Sequence, residues 1–291
     1  MNFTELKSPA KINVGLKIIN KRKDGFHDLE TIFYPVDLCD NIKISIEKTD
    51  TPRNSVFISS NKPYVPTDKK NFCYRIIEAF FIEYKIRDCY EIHINIEKNI
   101  PVGGGLGGGS SNAGTVLRFL IEYFAVDLEN DYERIIKIAL QAGSDVPFFV
   151  FALPCYAEGR GEKIKLLENF KLPYQIVLIN PGIHVSTKWA FEELNYQMGE
   201  IHDSLLSKVQ KFYPENHEYF ENDFEKIVFK RYPEIKKIKD ELLKAGAVFA
   251  SLSGTGGTVY GLFENLSNVP EEKINETFDK FRKLKYDVIK T

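Results

Sequence analysis

Six glycines fall within residues 103–109, and this cluster most constrains what the chain can fold into. Residues 101–113 read PVGGGLGGGSSNA, and the sequence that continues from them, AGTVLRFLIEYF, has the pattern of a helix. Glycine has no Cβ, so its backbone N–H can approach an anion, and a helix N-terminus adds partial positive charge. The segment therefore predicts a phosphate-binding loop. A flexible linker is the alternative, but linkers are not usually set between a strand and a helix.

The surroundings of the glycines exclude three familiar kinds of phosphate loop. A dinucleotide-binding fold has a continuously apolar strand before its G-x-G-x-x-G, whereas EIHINIEKN at 91–99 alternates between apolar and polar residues. A Walker loop needs a lysine after its last glycine, and none follows Gly109. Protein kinases carry H-R-D and D-F-G, which are both missing from the sequence. We expect residues 91–97 to form a half-exposed, antiparallel strand.

The composition is that of a globular protein, with 43% hydrophobic and 27% charged residues. A net charge of −2 gives no basic excess that would favour nucleic acid as a partner. The sequence shows no signal-peptide core and no run of about 18 apolar residues, so we expect a cytoplasmic protein without a membrane partner. The cysteines lack metal-ligand spacing and are expected to be reduced thiols: Cys39, Cys73, Cys89 and Cys155.

Hydrophobic periodicity predicts an α+β chain in which strands and helices come in separate runs. The predicted strands are 10–18, 30–36, 41–47, 91–97, 155–157, 174–180, 247–253, 258–263 and 286–290. The predicted helices are 71–84, two segments after the glycine loop, most of 187–245, and 271–284. We divide the chain into two domains, residues 1–160 with the phosphate loop and residues 161–291.

Two polar positions are candidates for catalysis. In PAKINVGLKI at 9–18, Lys11 and Asn13 fall on one face of a strand, about 7 Å apart. A solvated strand face is the alternative. In AGSDVPFFVFA, Ser144 or Asp145 could cap a helix whose first turn contains Pro147. Alternatively, Asp145 could be held at a rigid turn as a general base, and the two roles are compatible.

Two turns are candidates for ligand contact. An Asp-Gly turn at residues 24–25 precedes Phe26 and His27, which could stack on and hydrogen-bond to a flat ring. A buried aromatic with a satisfied histidine is the alternative. SLSGTGGTVYGLF contains a second glycine turn, which could be a tight hairpin or a wall of the phosphate site: Gly254, Gly256 and Gly257.

Together these segments resemble the GHMP kinase superfamily, which includes galactokinase, homoserine kinase, mevalonate kinase and phosphomevalonate kinase. Its three motifs correspond here to a P-x-x-K-[IL]-N strand, a glycine-rich phosphate loop and a C-terminal glycine turn: Pro9–Leu16, Pro101–Ala113 and Ser253–Thr258. The segments RKDGFHDLETIF and GSDVPFF are further similar to those of the superfamily's kinases in the non-mevalonate isoprenoid pathway, whose substrate carries a cytidine diphosphate. The resemblance extends along the whole chain.

The resemblance implies a two-domain GHMP kinase fold, with a strand-rich N-terminal domain and a ferredoxin-like C-terminal domain. It implies an ATP-dependent kinase that uses Mg²⁺ and phosphorylates the 2-hydroxyl of the methylerythritol part of that substrate. A small-molecule partner and a monomer or homodimer are expected. The implied catalytic base is Asp145, with Lys11 as its partner. A serine after the glycines is the one suggestion for a Mg²⁺ ligand.

The remaining implied roles concern binding. The residues implied to hold the ATP phosphates are Pro101, Val102, Gly103, Gly104, Gly105, Leu106, Gly107, Gly108, Gly109, Ser110 and Ser111. The residues implied to bind the substrate are Asn13, Phe26, His27, Thr187 and Phe191. Among these, His27 would read the cytosine edge, and Phe26 and Phe191 would stack on its two faces. The second glycine turn is expected near the phosphates.

Two other functions stay open. The chain could be a nucleotide-binding regulatory protein on the same scaffold, but a pure binder needs neither Lys11 nor Asp145. It could be a superfamily sibling such as a mevalonate kinase, but mevalonate offers no flat ring for the D-G-F-H segment to stack on.

Overall fold

A computed structural model describes residues 2–194, 204–205, 219–264 and 271–291, with only the backbone of residues 271–274. The chain forms two compact units, each discontinuous in sequence. Unit 1 comprises Met1–Ala10, Leu38–Ile100 and Gly107–Ala152, and unit 2 comprises Lys11–Asp37, Pro101–Leu106 and Leu153–Thr291. In this grouping, residues 11–37 and 101–106 fall with the later part of the chain, and the division at residue 160 stays a prediction.

Two long strands open the chain, β1 (Thr4–Lys21) and β2 (His27–Thr49), and they pair with each other. The sequence predicts two strands where β2 is continuous. Residues 29–33 of β2 pair with one neighbouring strand and residues 41–49 pair with another, so Pro35 falls between the two ladders. A proline can be accommodated there because its missing N–H interrupts neither ladder.

Unit 1 combines a small sheet with four helices. Residues 41–49 of β2 pair antiparallel with β4 (Cys89–Glu97), which pairs parallel with β3 (Ser55–Ser60), a strand that the sequence pattern does not predict. Alternate residues of β4 are buried, which confirms the predicted half-exposed strand. The helices are α1 (Phe72–Glu83), α2 (Gly108–Tyr123), α3 (Tyr132–Leu140) and α4 (Val146–Phe151). Their apolar faces form one core with the sheet isoleucines Ile42, Ile44, Ile92, Ile94 and Ile96.

Unit 2 contains a four-stranded antiparallel sheet in the order β10-β7-β9-β8. Its strands are β7 (Gln175–Asn180), β8 (Phe249–Leu252), β9 (Val259–Phe263) and β10 (Asp287–Lys290). The helices described in this unit are α5 (Thr187–Glu193), α6 (Glu225–Arg231), α7 (Pro233–Lys244) and α8 (Glu271–Lys283). Helices follow β7, the pair β8 and β9 comes next, and α8 leads into β10, so the predicted ferredoxin-like β-α-β-β-α-β order is confirmed.

The remaining strands of unit 2 extend the first half of β2. Residues 29–33 pair antiparallel with β5 (Cys155–Gly159), which pairs with β6 (Lys163–Leu166). A core of apolar side chains links β1 to the four-stranded sheet and its helices, including Leu16, Ile18, Val177, Phe224, Ile238 and Val259. Among the described residues, no helix has both the length and the apolar character that a membrane crossing requires.

Candidate active site

The first turn of α2 in unit 1 contains the second half of the glycine loop. Gly107 precedes the helix with a φ of +73°, a left-handed conformation that glycine adopts without the steric cost of a Cβ. The Ser111 hydroxyl donates to the backbone oxygen of Pro9 at 2.6 Å, and its oxygen lies 2.7 Å from the Ser8 hydroxyl oxygen. The turn that the sequence predicts to bind phosphate is therefore fixed to the start of β1.

A buried charge cluster holds the same turn from the other side. The Asp40 carboxylate is fully buried, and its Oδ1 accepts from the backbone N–H groups of Asn99 at 2.7 Å and Ile100 at 2.9 Å. Its Oδ2 accepts from Asn112 Nδ2 at 2.8 Å and is ion-paired with Lys98 Nζ. Lys98 Nζ also donates to Asn112 Oδ1 at 3.2 Å. We call these three side chains, Asp40, Lys98 and Asn112, the charge cluster.

Two neighbouring glycines of α2 face different surroundings. A Cβ on Gly108 would lie 2.9 Å from Lys98 Nζ and 3.1 Å from Ile100 Cγ2, so this position has no room on the side of the protein interior. A Cβ on Gly109 would lie 3.7 Å from Phe72, which is an ordinary contact. The charge cluster thus explains one glycine of the motif without any reference to a ligand.

Asp145 lies at the start of α4 in the same unit. It occupies the capping position, but its side chain makes no capping hydrogen bond, and Pro147 lies in the first turn as the sequence predicts. A Cβ on Gly143 would lie 3.7 Å from Ser110 Oγ, so the turn that leads to Asp145 lies beside the first turn of α2. Of the two predicted roles, helix capping is therefore not the one that its carboxylate performs.

In unit 2, Lys11 and Asn13 lie side by side on β1. They are 3% and 2% exposed, which excludes a solvated strand face. Lys11 Nζ donates to Asn13 Oδ1 at 2.5 Å and lies 5.3 Å from the centre of the Phe33 ring, within cation–π range. A buried ammonium is uncommon unless it is paired or has a function.

The first half of the glycine loop, residues 101–106, packs against β1 and against the second glycine turn. The Lys11 N–H donates to Leu106 O at 3.0 Å, and the Ser253 hydroxyl donates to Gly105 O at 3.0 Å. Gly105 has a φ of +78°, and a Cβ there would lie 2.0 Å from Ser253 O. The second turn therefore joins β8 to β9 and also lies against the loop, so both interpretations of SLSGTGG are compatible.

Several side chains that sequence reasoning missed hold these two turns. The Thr258 N–H donates to Gly104 O at 3.1 Å, and its hydroxyl accepts from Asn180 Nδ2 at 2.8 Å. Asn222 Nδ2 donates to the backbone oxygens of Leu252 at 2.8 Å and Gly254 at 2.7 Å. The sequence marks Asn180 and Asn222 only as single polar residues, the first at the end of a strand and the second before a helix.

The predicted base-binding residues also belong to unit 2. The His27 ring stacks on Phe191 with centroids 4.8 Å apart and an interplanar angle of 23°. Burial, and secondarily the charge of Lys21, lowers the pKa of His27 and favours the neutral imidazole. Phe26 is 48% exposed, and the Arg160 guanidinium lies 3.6 Å from the centre of its ring. The structure thus pairs Phe191 with His27 and Phe26 with Arg160.

Thr187, the remaining predicted substrate residue, begins α5, and its hydroxyl oxygen lies 3.1 Å from that of Thr255 in the second glycine turn.

The two predicted catalytic residues belong to different units, Lys11 to unit 2 and Asp145 to unit 1. The four cysteines form no disulfide, and burial raises the pKa of Cys73 and of Cys155 to about 12. Within the described residues no three His, Cys, Asp or Glu side chains gather as metal ligands.

Known proteins share both the sequence and the fold of this chain. The family models "GHMP kinases N terminal domain" and "GHMP kinases C terminal" match residues 71–152 and 200–276. A 4-diphosphocytidyl-2-C-methyl-D-erythritol kinase of Citrifermentans bemidjiense is 39% identical over 92% of each chain, and one of Geobacter sp. strain M21 is 37% identical over 95% of this chain and 96% of its own. The crystal structure of a 4-(cytidine 5'-diphospho)-2C-methyl-D-erythritol kinase superposes with a TM-score of 0.75 at 26% identity, covering 99% of this chain and 98% of that one.

Proposed function

The chain belongs to the GHMP kinase family, among the 4-diphosphocytidyl-2-C-methyl-D-erythritol kinases, and on this premise we propose which of its residues carry the reaction. The reaction is the transfer of the γ-phosphoryl group of ATP to the 2-hydroxyl of 4-diphosphocytidyl-2-C-methyl-D-erythritol, which gives the 2-phosphate and ADP in the non-mevalonate isoprenoid pathway. The observation that carries the proposal is the buried Lys11–Asn13 pair, whose strand is hydrogen-bonded to the glycine loop at Leu106.

The glycine loop, residues 101–111, would bind the ATP phosphates. Left-handed glycines at 103, 105 and 107 leave backbone N–H groups free of Cβ atoms. The 16-residue helix α2 adds the partial positive charge of its N-terminus. In a loose phosphoryl-transfer transition state, charge stabilisation and positioning are the main tasks left to the protein.

Lys11 and Asp145 would act on the two reacting groups. The ammonium of Lys11 can stabilise charge on the transferred phosphoryl group or polarise the attacking hydroxyl. The Asp145 carboxylate, at the start of α4, can accept the hydroxyl proton as a general base. The turn that leads to it lies beside the first turn of α2, since a Cβ on Gly143 would lie 3.7 Å from Ser110 Oγ, and this supports the role.

The cytosine ring would be recognised at the turn that carries Phe26 and His27. A neutral imidazole can donate to or accept from a base edge, and its stacking on Phe191 fixes the plane of its ring. Phe26 is 48% exposed, and its ring could stack on the base. The Arg160 guanidinium also lies over the Phe26 ring. Asn13 and Thr187 would complete the substrate pocket.

Mg²⁺ would accompany ATP, because a bound divalent cation would shield the phosphate charge in this chemistry. Mg²⁺ at such sites usually needs only one or two carboxylates besides phosphate oxygens and water, so the lack of a larger acidic cluster among the described residues is compatible with it. Ser110 is the candidate protein ligand, whereas the Ser111 hydroxyl already donates to Pro9 O. A cytoplasmic location and a monomeric or homodimeric state stay predictions.

The test is an assay with ATP, Mg²⁺ and 4-diphosphocytidyl-2-C-methyl-D-erythritol that measures ADP and the phosphorylated product. Mevalonate and methylerythritol phosphate serve as competing acceptors without a cytosine ring. We expect product only from the cytidine compound. Equal use of mevalonate would remove the substrate assignment, and nucleotide binding without turnover would favour the regulatory alternative.

A further inference from the structure

A chain of three side chains runs through the buried part of β1 and β2 in unit 2. Lys11 Nζ donates to Asn13 Oδ1 at 2.5 Å, and Asn13 Nδ2 donates to Thr31 Oγ1 at 2.9 Å. The Thr31 hydroxyl, which is fully buried, donates to Gly15 O at 2.6 Å. Thr31 lies one hydrogen bond beyond the predicted substrate residue, and the proposed reaction gives it no role.

The donor and acceptor inventory gives this chain a direction. A threonine hydroxyl has a single proton, and that of Thr31 is used at Gly15 O. Toward Asn13 the hydroxyl can therefore only accept, so the amide must turn its NH₂ to Thr31 and its oxygen to Lys11. The reversed amide would set two donors against each other at the lysine, which has no acceptor.

The backbone of Asn13 is held as firmly as its side chain. Its carbonyl oxygen accepts from the hydroxyl of Tyr260 at 3.0 Å. Tyr260 is fully buried, and burial raises the pKa of its hydroxyl, which therefore stays protonated as a donor. With the backbone held in this way, the direction of the amide depends on the side-chain torsions of Asn13, and its hydrogen bond to Thr31 restricts them.

We propose that Thr31 is a positioning residue for phosphoryl transfer, which sets the amide of Asn13 so that its oxygen accepts from the ammonium of Lys11. This inference rests on the proposed function, because it assumes that Lys11 and Asn13 act in the reaction. Thr31 itself is buried behind Asn13 and acts only through that side chain.

Thr31→Val is the direct test, since valine keeps the branched shape but neither donates nor accepts. We expect kcat to fall roughly 5- to 100-fold, the range for leaving one buried partner unsatisfied, while the KM for ATP changes by less than about twofold. Thr31→Ser should restore kcat to within about threefold of the wild type because it keeps the hydroxyl. Thr115→Val is the matched control, a buried threonine in the interior of α2 whose hydroxyl oxygen accepts from Arg118; its kcat should stay unchanged.

A double-mutant cycle separates positioning from a general loss of structure. In an Asn13→Ala background the amide is gone, so Thr31→Val should cause no further loss of kcat. An equal loss in both backgrounds, or a failure of Thr31→Ser to restore kcat, would overturn the inference. Thermal unfolding reports whether each variant folds, and Thr31→Cys, a similar size with a weak donor and acceptor, replaces Thr31→Val if valine prevents folding.

Two further outcomes distinguish this inference from the proposed function. If Asn13→Ala and Lys11→Ala lower kcat but Thr31→Val does not, the positioning role is wrong and the proposed function stands. If Lys11→Ala and Asn13→Ala are both silent in the folded protein, the proposed assignment of the site fails, and the role of Thr31 fails with it.

Discussion

The two halves of the glycine loop are held in place by different chemistry. In unit 1, the first turn of α2 depends on the charge cluster, in which the buried carboxylate of Asp40 accepts four hydrogen bonds, two of them from backbone N–H groups. In unit 2, residues 103–106 are held by backbone contacts and by side-chain hydrogen bonds between neutral groups, and Gly105 packs against the backbone oxygen of Ser253.

The difference has energetic consequences. Removing one member of a buried ion pair is costly because the other charge is left uncompensated, whereas exchanging both members for apolar residues is often neutral. A neutral network loses about 1–3 kcal/mol for each buried group left unpaired. We therefore expect substitutions in the charge cluster to act mainly on stability and substitutions in unit 2 to act mainly on turnover and binding.

Asp145→Asn should give the largest effect on turnover. It tests whether a carboxylate of unit 1 that is not part of the charge cluster contributes to catalysis. We expect kcat to fall by roughly 10²–10⁴, the contribution of a general base, because asparagine cannot accept the proton. The melting temperature should stay near that of the wild type, since asparagine has nearly the size and shape of aspartate. Steady-state kinetics and thermal unfolding measure both, and near-normal turnover would show that Asp145 is not the base.

Asp40→Ala should give the largest effect on stability. The substitution leaves Lys98 buried without its counter-charge and removes the acceptor of two backbone N–H groups, so we expect a loss of about 3–5 kcal/mol in the free energy of unfolding. The double variant Asp40→Leu with Lys98→Met is the control, and it should be less destabilised than Asp40→Ala. Urea unfolding measures both. A double variant that is less stable than Asp40→Ala would show that the charge itself is not what makes the single substitution costly.

The residues that hold the two halves of the glycine loop show the limit of what the sequence could predict. The glycine loop, Lys11 and Asp145 are recognisable because their residue types carry chemistry within a short segment. Asp40 and Lys98 are separated by 58 residues and meet only in the folded chain, so no local pattern links them. The alternation of β1 assigns Lys11 and Asn13 to one face, but a period of two cannot tell a polar face in water from a polar face that the fold buries. Thr31 was missed for the same reason.

A pair of glycine-to-alanine substitutions compares the two halves of the loop directly. Gly105→Ala in unit 2 places a Cβ 2.0 Å from Ser253 O at a φ of +78°, whereas Gly109→Ala in unit 1 meets Phe72 at 3.7 Å. The left-handed conformation alone costs alanine roughly 1–2 kcal/mol, and the clash with a backbone oxygen adds to it. We expect Gly105→Ala to raise the KM for ATP and lower the melting temperature, and Gly109→Ala to keep the melting temperature of the wild type. Equal melting temperatures for both variants would contradict the packing described for residues 103–106.

The smallest expected effect is the response of unit 2 to acid through His27. Burial against Phe191, more than the nearby charge of Lys21, lowers the pKa of this imidazole in the folded protein. As pH falls below about 6.5, the unfolded chain takes up a proton that the folded chain does not yet bind, so the unfolded state gains stability. The contribution of His27 to folding is thus complete above that pH and is lost as pH falls toward the lower folded-state pKa.

Urea unfolding of the wild type and of His27→Gln at about pH 5 and pH 7.5 isolates the effect, because the other groups titrate in both proteins. The wild type should lose more stability between these pH values than the variant does. Equal losses would mean that His27 titrates alike in the folded and unfolded chains, and its proposed neutral state at the cytosine edge would lose its physical basis.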